Sequence, residues 1–304
     1  MIITLPQTTT SEINKRLVQA RKDFGVITLG RVMTLVIDAT GTDVEDVIST
    51  ANVASREHPC RIIVIAPHDG ADDCLDAELR VGGDAGASEV VVLHPSTVQA
   101  EHADTLVIPL LLPDVPIVAW WPGEVPANAS GTGIGRMASR RITDTKDAVE
   151  PGAVLRSLAA HYQPGDTDLA WTRLTRWRAL LASALEQVND QRVSKARLHG
   201  DVGSPSILLL GSWLTKNLGC EYEATYDADA TGLLSIILET DSGEISISRP
   251  DALNAILAQP GQPDHALALP PRTLGDCLAE ELRRLDDDPV YGEALAQYAL
   301  TSSK

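Results

Sequence analysis

The residues with the clearest potential for phosphate chemistry are the glycines of Gly131-Thr-Gly133-Ile-Gly135-Arg136. A dinucleotide-binding turn needs its third glycine at the position of Arg136, and it follows a buried strand, whereas this run follows a proline-rich segment. The chain also contains no G-x-x-x-x-G-K-[ST] phosphate loop and no G-x-S-x-G nucleophile turn. We therefore interpret the glycine run as a flexible loop and expect no cofactor.

Histidine and cysteine spacing gives no support for a metal centre or a nucleophilic site. None of the seven histidines lies four residues from another, and the four cysteines form no Cys-x-x-Cys pair: Cys60, Cys74, Cys220 and Cys277. Zinc sites are commonly built on such spacings, and a free cysteine is often a buried, apolar residue. The sequence thus predicts no metal and no catalytic residue.

The distribution of charge indicates a binding surface instead. The stretch from Arg136 to Arg178 contains eight basic and five acidic residues and so carries a net charge of +3. The total is −17, so the other residues together carry −20. Four of the five tryptophans belong to the same stretch or adjoin it: Trp120, Trp121, Trp171 and Trp177. Tryptophan and arginine are enriched among the residues that contribute most to protein–protein affinity.

A partner-binding surface is therefore predicted from ten residues: Trp120, Trp121, Arg136, Arg140, Arg141, Asp144, Trp171, Arg173, Arg176 and Arg178. A structural interpretation stays open beside it, in which Trp177 and one of Trp120 and Trp121 are core residues and the arginines form a solvated rim. A third interpretation uses Arg140, Arg141 and Arg173 as an anion clamp for a sugar phosphate.

The overall composition limits the class of partner. Hydrophobic residues make up 44% and charged residues 22% of the 304 residues, which is typical of globular proteins. The net charge of −17 argues against general affinity for nucleic acid or for an anionic membrane, because both need a positive field. No leader sequence or membrane-spanning apolar run is recognisable, so we expect a cytoplasmic protein.

The first half of the chain has the pattern of a mixed α/β sheet domain. Capping boxes at Thr9-x-x-Glu12 and Thr42-x-x-Glu45 each predict the start of a helix. The second of these helices lies between two apolar runs of strand length, which predicts a βαβ unit. Further strands are expected from the apolar or alternating pattern of the following segments: Leu75–Val81, Glu89–Leu93 and Ile117–Trp121.

The second half predicts a smaller α/β domain that begins with a helix over Asp166–Asn189, following a long Gly/Pro/Arg loop between Pro122 and Pro151. On that helix Trp171 and Arg178 would lie together, and Arg173 could reach the face of Trp177. A helix starting at Ser204-Pro205 and ending at Gly219 follows, and then a hairpin around Asp241-Ser242-Gly243. The predicted domains are 1–165 and 166–304.

Five segments, spread in order along the chain, also resemble one known family: Ala54–Arg61, Ile108–Gly123, Ser139–Asp144, Asp166–Arg178 and Leu274–Leu285. They are similar to the glucose-6-phosphate dehydrogenase assembly protein (OpcA) family. The resemblance implies a partner that binds glucose-6-phosphate dehydrogenase and promotes its assembly or activity, in support of NADPH production by the oxidative pentose phosphate pathway. Such a partner needs no nucleophile, metal or phosphate loop, and an activator must bind the active form of its target best.

Overall fold

The computed structural model describes residues 1–24, 30–68, 74–81, 89–187, 192–251 and 253–302, and the chain forms two compact units. Unit 1 consists of three segments: Met1–Asp144, Gly165–Thr167 and Leu274–Asp287. Unit 2 consists of the other three: Thr145–Pro164, Asp168–Thr273 and Asp288–Lys304. The chain therefore passes between the units several times, unlike the predicted domains 1–165 and 166–304, which are continuous.

The strands and helices of both units are numbered in chain order. The strands are β1 (Ile2–Thr8), β2 (Met33–Asp38), β3 (Cys60–Ile65), β4 (Leu75–Arg80), β5 (Glu89–His94), β6 (Ile117–Trp121), β7 (Arg140–Thr143), β8 (Asp166–Asp168), β9 (Val193–Asp201), β10 (Glu221–Asp227), β11 (Leu233–Thr240), β12 (Gly243–Ser248), β13 (Asn254–Ala258) and β14 (His265–Ala268). The helices are α1 (Thr10–Phe24), α2 (Val44–Ala54), α3 (Thr97–Ala100), α4 (Ala103–Val107), α5 (Gly133–Met137), α6 (Pro151–Ala160), α7 (Leu169–Thr172), α8 (Thr175–Gln187), α9 (Pro205–Leu218), α10 (Leu274–Arg283) and α11 (Pro289–Ser302).

Within the described ranges, the first sheet has eight strands in the order β1-β4-β5-β3-β2-β6-β7-β8. Its centre, from β5 to β7, is parallel, and β1 and β4 add antiparallel pairs at one side. Strand β3 is buried along its whole length, as expected for a continuous apolar run in a parallel sheet. The α/β class with a mixed sheet is confirmed, and β2, α2 and β3 form the predicted parallel βαβ unit.

One of the two predicted capping boxes is correct. Thr9 N donates to the Glu12 carboxylate over 3.1 Å, and Glu12 N donates to Thr9 Oγ1 over 3.3 Å. The box at Thr42 and Glu45 is wrong, because Asp43 is the N-cap of α2 and accepts bonds from the backbone N–H groups of Glu45 and Asp46. Asp43 satisfies these donors with its own carboxylate, which leaves the Glu45 side chain to pair with Arg80.

The segment Pro122–Pro151, predicted as a long loop, contains α5 and the sheet strand β7. The Thr132 side chain caps α5 by accepting a 2.9 Å bond from Gly135 N. Strand β7 pairs in parallel with β6, with Arg140 opposite Val118 and Ile142 opposite Trp120. Ile142 is the only apolar residue of β7, so the sequence shows no alternation of apolar residues that would predict a strand. The strand forms because its backbone pairs with that of β6.

The second sheet belongs to unit 2 and has the order β10-β9-β11-β12-β13-β14. β10 is parallel to β9, and the other neighbours are antiparallel. The predicted hairpin is confirmed as β11 and β12. The predicted helix at Ser204-Pro205 is confirmed as α9, which ends at Gly219 with a φ of 67°, a left-handed conformation that glycine adopts without strain.

The predicted helix Asp166–Asn189 is wrong in its first turns, and Val188 and Asn189 lie outside the described residues. Residues 166–168 form β8, because Asp168 is extended (φ −130°, ψ 137°) and its carboxylate accepts a 2.9 Å bond from Ala170 N. The same carboxylate oxygen accepts bonds from the Thr145 N–H and hydroxyl groups. These bonds hold the chain out of the helix until α7 begins.

Helix packing explains why the units are built from several segments. Helix α6 packs on α9 and α11, so residues 145–164 belong to unit 2. Helix α10 packs on α2, so residues 274–287 return to unit 1. These contacts join distant parts of the sequence, which a division at one point in the chain cannot represent.

Candidate functional site

Two tryptophans of the predicted partner surface lie in the core of unit 1. Trp120 and Trp121 end strand β6 and are 0% and 2% exposed. Trp121 packs in an apolar cluster with Ala129 and Ile134. A strand that is buried on both faces leaves neither indole ring available to another protein, so for these residues the prediction of partner contact is corrected to a role in the core.

The arginines of β7 are engaged within unit 1. Arg140 Nη2 donates to the Glu281 carboxylate, and its Nη1 donates to the Asp286 carbonyl over 2.7 Å. Arg141 Nε donates to the Asp166 carboxylate, and its Nη1 donates to the Ala138 carbonyl over 2.8 Å.

Both arginines are buried, and so is Asp144 at the end of the same segment. The contacts of Arg140 and Arg141 join β7 to residues far away in the sequence, and none of the three side chains presents a free surface. Partner contact is therefore corrected for these three residues as well, and Arg140 and Arg141 do not form an anion clamp.

Trp171 is also a buried residue. Its indole N–H donates to Asp288 Oδ2 over 2.9 Å, and the Arg178 guanidinium lies 3.7 Å above the ring centroid. The expected proximity of Trp171 and Arg178 is thus found, although a break between α7 and α8 separates them. Because Trp171 is 1% exposed, its predicted partner contact is corrected too.

Exposed guanidinium groups remain at Arg136 in unit 1 and at Arg176 in unit 2, and Arg173 and Arg178 are partly exposed. The Arg136 side chain is 61% exposed and lies 3.9 Å from Asp104, a distance at which a surface ion pair contributes little to stability. For these four residues partner contact stays a prediction.

A cavity in unit 2 brings together residues from distant parts of the sequence, and we call it the cationic cavity. Its volume is about 120 Å³. Trp177 and Arg173 reach it from the α7–α8 region, Asp201 from the end of β9, and Arg249 from the residue after β12. Lys146, Arg272 and the first residues of α9 complete its wall.

The charge of this wall is strongly positive. Four cations line it, Lys146, Arg173, Arg249 and Arg272, against one carboxylate among the described lining residues, Asp201. The Arg249 guanidinium lies 5.1 Å from the centroid of the Trp177 ring. Burial lowers the pKa of the Arg249 guanidinium, and arginine is not deprotonated in proteins, so the group is a cation.

The sequence singled out Arg173 and Trp177, which line this cavity, but it did not predict the cavity or its other charged residues. Arg173 was expected over Trp177, whereas Arg249 occupies that place. Arg249, Arg272 and Asp201 carry no local signal, because each stands alone at the end of a strand or in a connection, and only the folding of the second sheet brings them to Trp177.

A larger cavity in unit 1, about 930 Å³, lies beside the ends of β2 and β3 and the start of α2. In open α/β sheets a nucleotide pyrophosphate binds at this kind of helix N-terminus, which favours negative charge. Here three carboxylates line the cavity, Asp38, Asp43 and Glu101, and no lysine or arginine does so among its described lining residues. Asp43 itself occupies the N-terminal donors of α2, so the local charge and hydrogen bonding disfavour a pyrophosphate.

The second sheet has one face with partly or fully exposed side chains, which we call the open sheet face. It is defined by two rows of cross-strand neighbours: Glu223–Arg197–Ile237–Ser246–Ala258 and Thr225–His199–Ser235–Ser248–Ile256. The alternate residues, such as Leu198, Ile236 and Ile247, are buried on the other face. Arg197 forms salt bridges with Glu239 and Glu244 across this surface.

The described residues contain no group of three or more His, Cys, Asp or Glu side chains arranged to hold a metal ion. No helix in the same ranges is both long enough and apolar enough to cross a bilayer.

Two family models match successive parts of the chain. The model described as the glucose-6-phosphate dehydrogenase subunit N-terminal domain matches residues 51–160, and that of the C-terminal domain matches residues 164–295. The two matches meet near the boundary predicted at residue 165.

Two curated relatives are each described as a putative OxPP cycle protein OpcA. The protein from Synechococcus elongatus is 25% identical over 185 residues, which cover 56% of this chain and 42% of the relative. The protein from Nostoc punctiforme is 24% identical over 185 residues, with coverages of 55% and 40%. The match thus spans less than half the length of each relative.

Solved structures with a similar fold are oxidoreductases. The 3-ketoreductase KijD10 from Actinomadura kijaniata, in complex with TDP-benzene and NADP, has a TM-score of 0.51 and 9% identity, covering 90% of this chain and 96% of that one. An oxidoreductase from Sinorhizobium meliloti has a TM-score of 0.50 and 10% identity, with the same coverages. At such identities the likeness concerns the fold alone, which hosts unrelated functions.

Proposed function

The chain belongs to the glucose-6-phosphate dehydrogenase assembly protein (OpcA) family, and on that premise we propose that it binds glucose-6-phosphate dehydrogenase and promotes its assembly or activation. The observation that carries the proposal is that both halves of the chain match family models of this kind. The chain would act in the cytoplasm and, by raising the activity of its partner, would support NADPH production in the oxidative pentose phosphate pathway.

We also propose that the chain catalyses no reaction itself, although its fold resembles that of oxidoreductases. The support is the acidic cavity of unit 1, where Asp43 already satisfies the α2 donors that would otherwise receive a pyrophosphate. Glycine is missing at the third position of the glycine run, and the run lies after β6 rather than between β2 and α2. Both features disfavour a bound nicotinamide cofactor.

An activating partner acts by differential affinity. If the dehydrogenase interconverts between a less active and a more active form, the complex shifts this equilibrium only by the difference between the two binding free energies. The activation is then allosteric and requires a protein surface rather than a catalytic group.

In unit 2 we propose the open sheet face as the main contact, with Arg173, Arg176 and Arg178 as further contacts of that unit. Arg136 is proposed as a separate contact in unit 1. The two rows combine partly exposed aliphatic side chains, such as Ile237 and Ile256, with small polar ones and with the charged Glu223 and Arg197. A partner could bury the aliphatic groups and pair with the charged ones. Arginines with an accessible guanidinium can then pair with carboxylates of the partner.

The test mixes the purified chain with glucose-6-phosphate dehydrogenase and follows complex formation by analytical ultracentrifugation and NADPH formation by absorbance. We expect a complex and a faster rate. No complex and no change in rate would refute the proposal, and a complex without a change in rate would indicate a scaffold. Turnover of a sugar phosphate by this chain alone would favour the alternative, a sugar-phosphate enzyme.

Surface variants test the location of the contact. Ile237→Lys places a charge in the centre of the open sheet face, and Arg176→Glu reverses an exposed charge, so both should weaken the complex about tenfold or more. Val149→Lys is the matched control, because Val149 is 99% exposed outside this face. Equal affinities for Ile237→Lys and Val149→Lys would show that the partner binds elsewhere.

A further inference from the structure

We propose that the cationic cavity of unit 2 is a binding site for a phosphate group, either free phosphate or the phosphate of a small monoester. The inference concerns unit 2 alone and does not depend on the dehydrogenase as partner.

The charge balance of the wall is the first argument. Lys146, Arg173, Arg249 and Arg272 give +4 and Asp201 gives −1, so the described lining carries +3 in a chain whose total is −17. A wall of this charge favours a multivalent anion.

Arg249 is the residue on which the inference mainly rests. Among the described residues no carboxylate forms an ion pair with Arg249, and its buried Nε has no hydrogen-bond partner. The guanidinium lies over the Trp177 ring, 5.1 Å from its centroid, and a ring face offers no hydrogen-bond acceptor for the buried Nε. Leaving a partly desolvated N–H unpaired is unfavourable, and an anion in the cavity would remove this cost.

The N-terminus of α9 also favours an anion in the cationic cavity. This helix is 14 residues long, and the Ser204 side chain at its N-cap forms no capping hydrogen bond. Ser206 donates its own hydroxyl to the Ala170 carbonyl over 2.8 Å, so the serine side chains do not satisfy the first N–H groups of the helix. A phosphate near this end would benefit from the positive end of the helix dipole.

Asp201 constrains which phosphates fit. Its Oδ1 is buried without a hydrogen-bond partner among the described residues. A bare dianion would be repelled by this carboxylate, whereas a ligand hydroxyl could donate to it. The volume of about 120 Å³ suits a phosphate group with a small attached moiety, and it is well below the 300 Å³ or more of typical drug-sized sites. A dinucleotide is therefore excluded by size.

The experiment measures binding by isothermal titration calorimetry at constant ionic strength, with the whole chain and no dehydrogenase. The probes are inorganic phosphate, glucose 6-phosphate and glucose, and chloride is the reference anion. We expect saturable binding of at least one phosphate probe and none of glucose. The tighter of the two phosphate probes identifies whether the site takes the free anion or an ester.

Two variants distinguish binding in the cationic cavity from a general effect of net charge. Arg249→Gln should weaken phosphate binding about tenfold or more, since one charge-assisted hydrogen bond is lost. Arg197→Gln is the matched control, because it removes the same charge from the open sheet face, where Arg197 is already paired with Glu239 and Glu244. Thermal unfolding without ligand verifies that each variant folds, and Lys146→Gln, at an exposed position of the wall, replaces Arg249→Gln should that variant not fold.

Two results would overturn the inference. One is the absence of saturable binding for both phosphate probes. The other is binding that weakens equally in Arg249→Gln and Arg197→Gln, which would mean a non-specific response to net charge.

Discussion

The arginines of β7 in unit 1 differ in their surroundings from Arg249, which lines the cationic cavity of unit 2. Arg140 and Arg141 each have a carboxylate and a backbone carbonyl as partners, and both are buried. Arg249 lies over the Trp177 ring and forms no ion pair with a carboxylate among the described residues. An arginine therefore indicates a binding site only where the fold leaves its charge uncompensated.

A second group in unit 1 reinforces the contrast. Glu89 is buried in β5 and accepts from Arg21 over 2.8 Å and from Arg61 over 2.9 Å, and Arg31 lies 3.4 Å away. Burial alone would raise the pKa of the Glu89 carboxyl, but the Arg21 hydrogen bonds and the charges of Arg61 and Arg31 outweigh it, so the pKa lies below its ordinary value. Unit 1 thus uses buried arginine–carboxylate contacts to hold its strands and helices together.

The largest effect on stability is expected from reversing the charge of a buried, paired arginine. Arg140→Glu would place a carboxylate against Glu281 in a buried environment, and we expect the free energy of unfolding to fall by about 3–5 kcal/mol. Urea unfolding followed by circular dichroism measures it. A loss below about 1 kcal/mol would show that the buried pair is not structural, and the control Arg283→Glu reverses an exposed charge and should change stability little.

A smaller effect is expected from titrating Glu89. Its folded-state pKa is lower than the ordinary 4.5, so its contribution to stability is complete above about pH 4.5 and is lost as the pH falls through the lower folded-state value. The urea midpoint of the protein should therefore decrease as the pH is lowered through this range. In Glu89→Gln this part of the pH dependence should be absent, and an unchanged pH profile would contradict the assignment.

The smallest effect on stability is expected from the uncompensated arginine. Arg249→Gln removes a cation–π contact but also a partly desolvated charge, so the free energy of unfolding should change by about 1 kcal/mol or less. Thermal and urea unfolding without phosphate measure it. A loss as large as that of Arg140→Glu would mean that Arg249 is structural, and the contrast between the two regions would disappear.

Part of this structure could be predicted from local sequence. Ile62–Ile65 is a continuous apolar run and forms a buried parallel strand, and Pro205 and Gly219 mark the two ends of α9. Thr9 and Glu12 form their capping box because all the atoms involved lie within one turn. The α/β class and the absence of standard phosphate, nucleophile and metal motifs in the sequence follow from such local patterns.

The partner surface was harder to predict than the fold, for a physical reason. Tryptophan and arginine are typical of interfaces and equally able to stabilise a core, and composition does not distinguish the two. Trp120, Trp121 and Trp171 became core residues because sheet and helix packing covered them. Arg136 and Arg176 belong to the same stretch of sequence but are exposed, because the fold does not cover them.

The sequence by itself determined the family, the α/β class and most of the apolar strands, because these depend on residue types and on periods of a few positions. Tertiary structure alone decided that β7 is a strand, that Arg140 meets Glu281 across 141 residues of chain, and that Arg249 meets Trp177. Charge compensation acts over a few ångströms in space and irrespective of separation in sequence, so only the folded chain shows which arginines remain available for a ligand or a partner.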